Sequence, residues 1–398
     1  MRFTSTGLLA LALTTLTSAA PSPDRNDHPC QSNAKVLEAC AIVALGNDSS
    51  RVISPRDPLY TDARLGEKVQ YDELPALIAY AKKTTEVQAL VGCAQRAGFN
   101  AVPRSGGHHF EAYSALTGQL VIDVSHINHV SVASDGKSAV VGAGIRLGAL
   151  YTELWKYDGK TFVGGICPTV GLGGLLSAGG FNMQMRNLGF SIDHALSAKV
   201  VSADGKLVTA SPKENKDLYW AIRGGGGGTF GIVVEWTLNI IKMPRSAMIE
   251  INWPAANRFA VAQRFLEWGP KAPKELTSQV NVWGSSVQII GWYYGKTKAE
   301  AEALLASSGL LSIGTPEVIV AGNCNSQNSR LFGYIIHDCI ADDQVDASFM
   351  NVIPDAYARY KGYPQFILDP FPKNSDIPAA PPWGRYKRIN KTFMVTKD

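Results

Sequence analysis

The chain has 398 residues, 45% of them hydrophobic and 18% charged, and a net charge of +4. That balance supports a large buried core, excludes wholesale disorder and fits roughly two or three domains. So small a charge, with no run of five basic residues, gives no electrostatic case for a nucleic-acid partner.

Met1-Arg2-Phe3 precedes an apolar run, Leu8 to Leu13, and small residues Ser18, Ala19 and Ala20. One positive charge, a short apolar stretch and a small-residue end describe a secretory signal peptide over residues 1–20 and an extracellular protein. The run is too short to span a bilayer, and no later stretch reaches that length, so no membrane association is expected. Residues 21–35, polar and rich in proline, read as loose. Residues 75–98 read as a helix from the recurrence of Leu77, Ile78, Tyr80, Ala81, Val87, Leu90 and Val91. Val121–Val124 and Ser138–Val141 read as strands, and 146–157 as a helix ending near Gly159. Ala198–Val201 and Lys206–Thr209 read as a hairpin around Asp204-Gly205, followed by a short helix at Asp217–Ile222 and a strand at Gly231–Ile240. Glycine thins out beyond residue 245, and that shift sets a domain boundary. Strand-like Val280–Tyr294 and helical Thr297–Ser307 follow.

Six cysteines, Cys30, Cys40, Cys93, Cys167, Cys324 and Cys339, lack any CxxC pair, which argues against a structural zinc site. In a secreted chain they favour disulfides, whose pairing the spacing leaves open. Asn47-Asp48-Ser49 and Asn390-Lys391-Thr392 are glycosylation sequons.

Three glycine-rich loops carry the chemistry: Arg104–His109, Gly165–Gly180 and Arg223–Gly231. Glycine lets backbone approach a ligand closely and exposes N–H donors, so several such loops suggest an extended phosphate-bearing cofactor. The five glycines Gly224 to Gly228 sit between Trp220-Ala221-Ile222 and the apolar Ile232-Val233-Val234, unlike a flexible linker. Gly142-Ala143-Gly144-Ile145-Arg146-Leu147-Gly148 follows a strand and opens a helix, but its GxGxxxG spacing is one residue too long for the dinucleotide fingerprint. The reactive candidates are His108, in a glycine turn, and Cys167, in a turn where an inert structural cysteine is unexpected.

Four segments occur in order: Ser105-Gly106-Gly107-His108; Gly165-Ile166-Cys167-Pro168-Thr169-Val170-Gly171-Leu172-Gly173-Gly174; Leu188-Gly189-Phe190-Ser191-Ile192-Asp193; and Asp217-Leu218-Tyr219-Trp220-Ala221-Ile222-Arg223 with the glycines through Gly231. Together they resemble the berberine-bridge-enzyme-like family of secreted FAD oxidases, and within it the fungal oligosaccharide oxidases. The resemblance implies an α+β, two-domain, PCMH-type FAD-binding fold. Residues 36–245 would form the cofactor domain and 246–398 an antiparallel-sheet substrate domain.

It further implies FAD held by two covalent bonds, His108 to the 8α-methyl and Cys167 to C6, a tether that raises the flavin potential. Arg104, Ser105, Gly106, Gly107, Val170, Gly171, Gly174 and Gly225 would complete the cofactor site. His109 is not the attachment site. Val170 matches the family's oxygen-gating position and implies molecular oxygen as acceptor, with hydrogen peroxide released. Tyr113 would line the substrate site. Cys40 and Cys93 match the family's disulfide, leaving Cys324 with Cys339 as a candidate second bridge and Cys30 over. The implied substrate is an alcohol or hemiacetal carbon of an oligosaccharide or other small molecule, the chain a monomer. The alternatives are an oxidative cyclase or alcohol oxidase of secondary metabolism, and a non-catalytic flavin-binding relic.

The chain departs from the family at Leu175, at Ala178-Gly179-Gly180 and at Phe181-Asn182-Met183. Family members continue beyond the equivalent of Asp398, where their base lies, so the substrate domain is expected to be incomplete. By residue type alone Glu250, Tyr293 and Tyr294 are candidates for that base.

Overall fold

The computed structural model describes residues 29–67, 71–182, 184–282, 286–324 and 391–394. The signal peptide, the Asn390 sequon, Met183, Cys339 and the thiols of Cys30 and Cys324 lie outside the described residues. Helix α1 (Pro29–Ala44) begins within the segment read as loose, with proline at a position where its missing N–H costs nothing. Asn47 of the first sequon is exposed.

The first sheet combines β1 (Val52–Ile53), β2 (Leu77–Tyr80), β3 (Ala101–Arg104) and β4 (Leu120–Asp123) in the order β1-β2-β4-β3. β4 runs parallel to both β2 and β3. Here the structure corrects the expected helix over 75–98. Residues 77–80 are a strand, and the helix α3 is confined to Thr84–Ala97. Leu77, Ile78 and Ala79 are almost wholly buried, and a strand covered on both faces reads as a continuous apolar run that periodicity alone does not tell from helix. α2 (Tyr60–Arg64) lies between β1 and β2. α1 and α3 pack together through Leu37, Ala41, Leu90 and Ala94, and a disulfide joins Cys40 to Cys93 across them.

The second sheet, β5 (Val130–Val132), β6 (Ser138–Gly142), β8 (Ala195–Val201), β9 (Leu207–Ala210) and β10 (Ile232–Asn239), is antiparallel in the order β5-β6-β10-β8-β9. The expected hairpin is β8 and β9. The short strands β7 (Lys160–Thr161) and β11 (Ile241–Lys242) pair separately. Helix α4 (Leu147–Trp155) and α5 (Leu172–Ser177) cover this sheet, burying Leu150, Leu154, Leu172 and Leu176 against Val141 and Trp236. The short helices α6 (Met185–Leu188) and α7 (Lys216–Ala221) complete this part.

The third sheet contains β12 (Ser246–Pro254), β13 (Leu276–Val282), β14 (Ser286–Tyr294), β15 (Glu317–Cys324) and β16 (Lys391–Met394), in the order β15-β12-β14-β13-β16. The single strand-like run expected at 280–294 belongs to two antiparallel strands, β13 and β14. One face packs Ile249, Ile251, Trp253, Val280 and Ile289 against α8 (Arg258–Trp268) and α9 (Lys298–Ser308). Thr297 caps α9, its hydroxyl accepting the Glu300 N–H at 3.2 Å.

A buried ion pair ties the first sheet to the chain before it. Arg51 donates to Glu86 at 2.7 and 3.2 Å, to the Tyr80 carbonyl at 3.1 Å and to the Leu45 carbonyl. Burial alone would raise the Glu86 carboxyl, but the bonds from Arg51 and the Lys82 N–H hold it below its ordinary value. Glu86→Gln strands a buried guanidinium and is expected to cost about 3 kcal/mol at pH 7 in urea unfolding. Because the folded pKa is depressed, the pair contributes above the ordinary glutamate value of about 4.3 and fades as pH falls through the folded value. The variant and the wild type should therefore converge in acid.

Candidate functional site

β3 ends where two loops meet backbone to backbone. A Cβ on Gly106 would lie 2.2 Å from the Gly171 nitrogen and 2.9 Å from the Thr169 carbonyl oxygen. Reciprocally, a Cβ on Gly171 would lie 2.2 Å from the Gly106 nitrogen. No side chain fits at either position. The contact presses the loop carrying His108 onto the loop carrying Cys167. His108 Nε2 lies 2.9 Å from Thr169 Oγ1 and its Nδ1 3.3 Å from Glu67.

Both loops are pinned from below by the segment 142–148. Ser105 donates its hydroxyl to the Ala143 carbonyl at 2.8 Å. The N–H groups of Leu147 and Gly148 donate to Val170 and Pro168, and those of Leu172 and Gly173 to Ile145 and Ala143. A Cβ on Gly144 would fall 1.7 Å from the Val124 carbonyl oxygen. The glycines of the near-miss fingerprint therefore serve close backbone packing under the site. Tyr151 donates to the Gly165 carbonyl at 2.6 Å, and burial pushes its phenol well above its ordinary pKa.

The amide N–H groups of Gly106, Gly107 and His108 donate to no protein acceptor among the described residues. Gly107 is left-handed, with φ +73°, a turn conformation of the kind that builds anion-binding nests from successive N–H groups. A Cβ on Gly174 would meet nothing within 4 Å among the described residues, and the glycine is exposed. Cys167 is half-buried, and Val170 packs partly buried on the core of the second sheet. The Val170 N–H closes a turn onto the Cys167 carbonyl at 3.3 Å. A run of amides, an imidazole and a thiol on touching loops fit a flavin dinucleotide: His108 and Cys167 would hold the ring, and the 106–108 amides the phosphates.

Two expected site residues act differently. The Arg104 side chain turns into the protein, donating to Asp123 and to the Ala63 carbonyl, both at 2.6 Å, and it is 6% exposed. In so buried a position a guanidinium needs a carboxylate, and Asp123 on β4 supplies it. The Gly225 N–H is consumed by the Ala221 carbonyl at 3.1 Å, so Gly225 ends α7 instead of offering a donor. Its neighbours Gly224 and Gly226 dock on the Ser177 carbonyl.

Tyr113 is exposed and stacks on His109, ring centroids 4.6 Å apart. Of the three candidates for a base, Tyr293 packs into the core on the α8/α9 side of the third sheet. Glu250 lies on the opposite face, accepting from Gln288 at 2.7 Å and Asn252 at 3.1 Å. Tyr294 clusters with Met243, Met248 and Trp292. Thr169, Glu67 and Tyr151 were not anticipated. Thr169 was legible as the polar residue two after the cysteine, whereas Glu67 and Tyr151 reach the loops only through the fold.

Residues 75–211 match the FAD binding domain family model. The FAD-linked oxidoreductase pynB of Aspergillus niger is 51% identical over all of this chain and 74% of its own length. The chain belongs to the berberine-bridge-enzyme-like FAD-linked oxidoreductases. A solved member of this family, Physcomitrella patens BBE-like 1, is 31% identical with a TM-score of 0.67, over 71% of this chain and 62% of its own. The glucooligosaccharide oxidase of Acremonium strictum, whose structure is described as revealing a novel flavinylation, is 25% identical with a TM-score of 0.67, over 76% of this chain and 63% of its own. The chain thus spans less than two thirds of either solved relative.

Gly171→Ala should part the two loops. We expect the purified variant to carry much less flavin than the wild type, measured as flavin absorbance per mole of protein, with an unchanged far-UV circular dichroism spectrum.

Proposed function

We propose that the protein is a secreted flavoprotein oxidase that carries FAD on both His108 and Cys167 and oxidises an alcohol or hemiacetal carbon of an oligosaccharide-like substrate. The observation that carries this reading is the Gly106–Gly171 contact, which brings the imidazole loop onto the thiol loop. The Cys40–Cys93 disulfide supports an oxidising compartment.

When bound, FAD supplies a hydride acceptor and a route for two electrons to molecular oxygen, giving hydrogen peroxide. The chain's own residues fix that chemistry in place. Thr169 and Glu67 flank the two His108 ring nitrogens and set its orientation. Val170, the residue before Gly171, is of modest size and leaves oxygen an approach to the flavin.

Two features favour a polyhydroxylated substrate. Tyr113 stacked on His109 forms an exposed aromatic platform near His108, of the kind that packs against a sugar ring. The face of the third sheet turned away from α8 and α9 carries Glu250, Asn252, Gln279, Asn281 and Gln288 in adjacent rows. On it the Gln279 Oε1 and Thr277 Oγ1 atoms are buried without a hydrogen-bond partner among the described residues. Such acceptors suit donated hydroxyls. The apolar cluster of Met248, Trp292 and Tyr294 on the same sheet favours, as a second reading, a flat apolar alcohol.

Oxygen uptake with an oligosaccharide panel and an aromatic-alcohol panel separates the two, and turnover of neither removes the oxidase reading. Tryptic peptide mapping tests the tether: FAD mass should join the His108 and Cys167 peptides. His108→Ala and Cys167→Ala should each retain one link, and the double variant should release its flavin in acid. Flavin that acid frees from the wild type overturns the covalent reading.

A further inference from the structure

A cleft of about 750 Å3 opens between the β4–β5 connection and α4. Its lining takes in Gly144, Ile145, Arg146 and Gly148 of the segment under the two loops, but no residue from 104 to 109 or from 164 to 174. Arg146, just before α4, lines it and has no carboxylate within 4.0 Å among the described residues. The acids nearby are already neutralised. Glu153, at one lip, pairs with Lys156 at 2.8 Å, and Glu235 is held between Lys199 at 2.8 Å and His129 at 3.2 Å. Ser125 and Asn128 also line the cleft, and their side chains make no hydrogen bond among the described residues. His126 lies flat against Tyr80, centroids 5.8 Å apart, with its ring nitrogens unengaged among those residues.

We infer that this cleft is a second binding site, for a small polar molecule bearing a carboxylate or phosphate group. A guanidinium with no carboxylate partner among the described residues offers two parallel N–H bonds to such an oxyanion. The Asn128 amide, the Ser125 hydroxyl and the His126 imidazole supply further polar contacts around it. The volume suits a metabolite-sized ligand. The inference stands independently of the substrate reading, because it uses none of the residues invoked there.

The test is isothermal titration calorimetry of the flavin-loaded protein at constant ionic strength. Inorganic phosphate and malonate are titrated separately, with glycerol as the neutral control. Saturable binding of either anion, but not of glycerol, is expected, and which anion binds names the ligand's acidic group. Arg146→Gln should weaken it at least tenfold. Ala149→Trp, at an exposed position of α4 that lines the cleft, should abolish it by filling the space. Absence of saturable heat with both anions overturns the proposal. So does an affinity that Ala149→Trp leaves unchanged, which would put the anion elsewhere, or binding seen only in flavin-free protein, which would assign it to the cofactor cradle.

Discussion

The structure of the site depends on one place where two backbones leave no room for a methyl group. Gly106 and Gly171 lie so close that a Cβ on either would overlap the nitrogen of the other. Everything around that contact holds the two strands of chain at this distance. Ser105 anchors the first loop to Ala143, and the start of α4 anchors the second through Leu147 and Gly148. Because both anchors belong to the same segment, 142–148, the relative position of His108 and Cys167 is fixed by one rigid floor and not by two independent loops. Preorganisation of this kind is what a site needs if two side chains are to meet one ligand within a fraction of an ångström.

The third sheet is coupled to the preceding part of the chain by an arginine with an unusual role. Arg186, at the start of α6, donates to the Leu276 carbonyl at 2.6 Å and the Ala272 carbonyl at 2.9 Å. Those carbonyls precede and begin β13, so the guanidinium fastens the end of the helix-covered sheet to the cofactor-bearing half. Burial depresses its pKa, yet a guanidinium stays charged far above neutrality, and charge-assisted bonds to carbonyls offset part of its desolvation.

Much of the second sheet was legible because its strands alternate: β10 buries every other residue, and Asp204-Gly205 marks the β8–β9 turn. The first sheet was less legible for a physical reason. Leu77–Tyr80 is enclosed on both sides, so its pattern carries no period and merges with the amphipathic α3 that follows. The site divides the same way. Glycines required by contact are visible as glycines, and a histidine or cysteine beside them is visible as chemistry. What a long side chain does is not visible. Arg104 stands next to the cofactor loop in sequence, and only the parallel pairing of β3 with β4 brings Asp123 beside it.

Arg104 also explains why the loop begins where it does. Its side chain points into the first sheet and pairs with Asp123, while its carbonyl accepts the Val124 N–H at 2.8 Å. The residue is thus held by both its backbone and its charge at the last position of β3. The next residue cannot continue the ladder, because Ser105 is turned down onto Ala143. Gly106 then meets Gly171, and the N–H groups of Gly106, Gly107 and His108 donate to no acceptor among the described residues. The ion pair therefore acts on the loop at a distance: by stopping the strand at one residue, it determines which amides the strand ladder leaves unpaired.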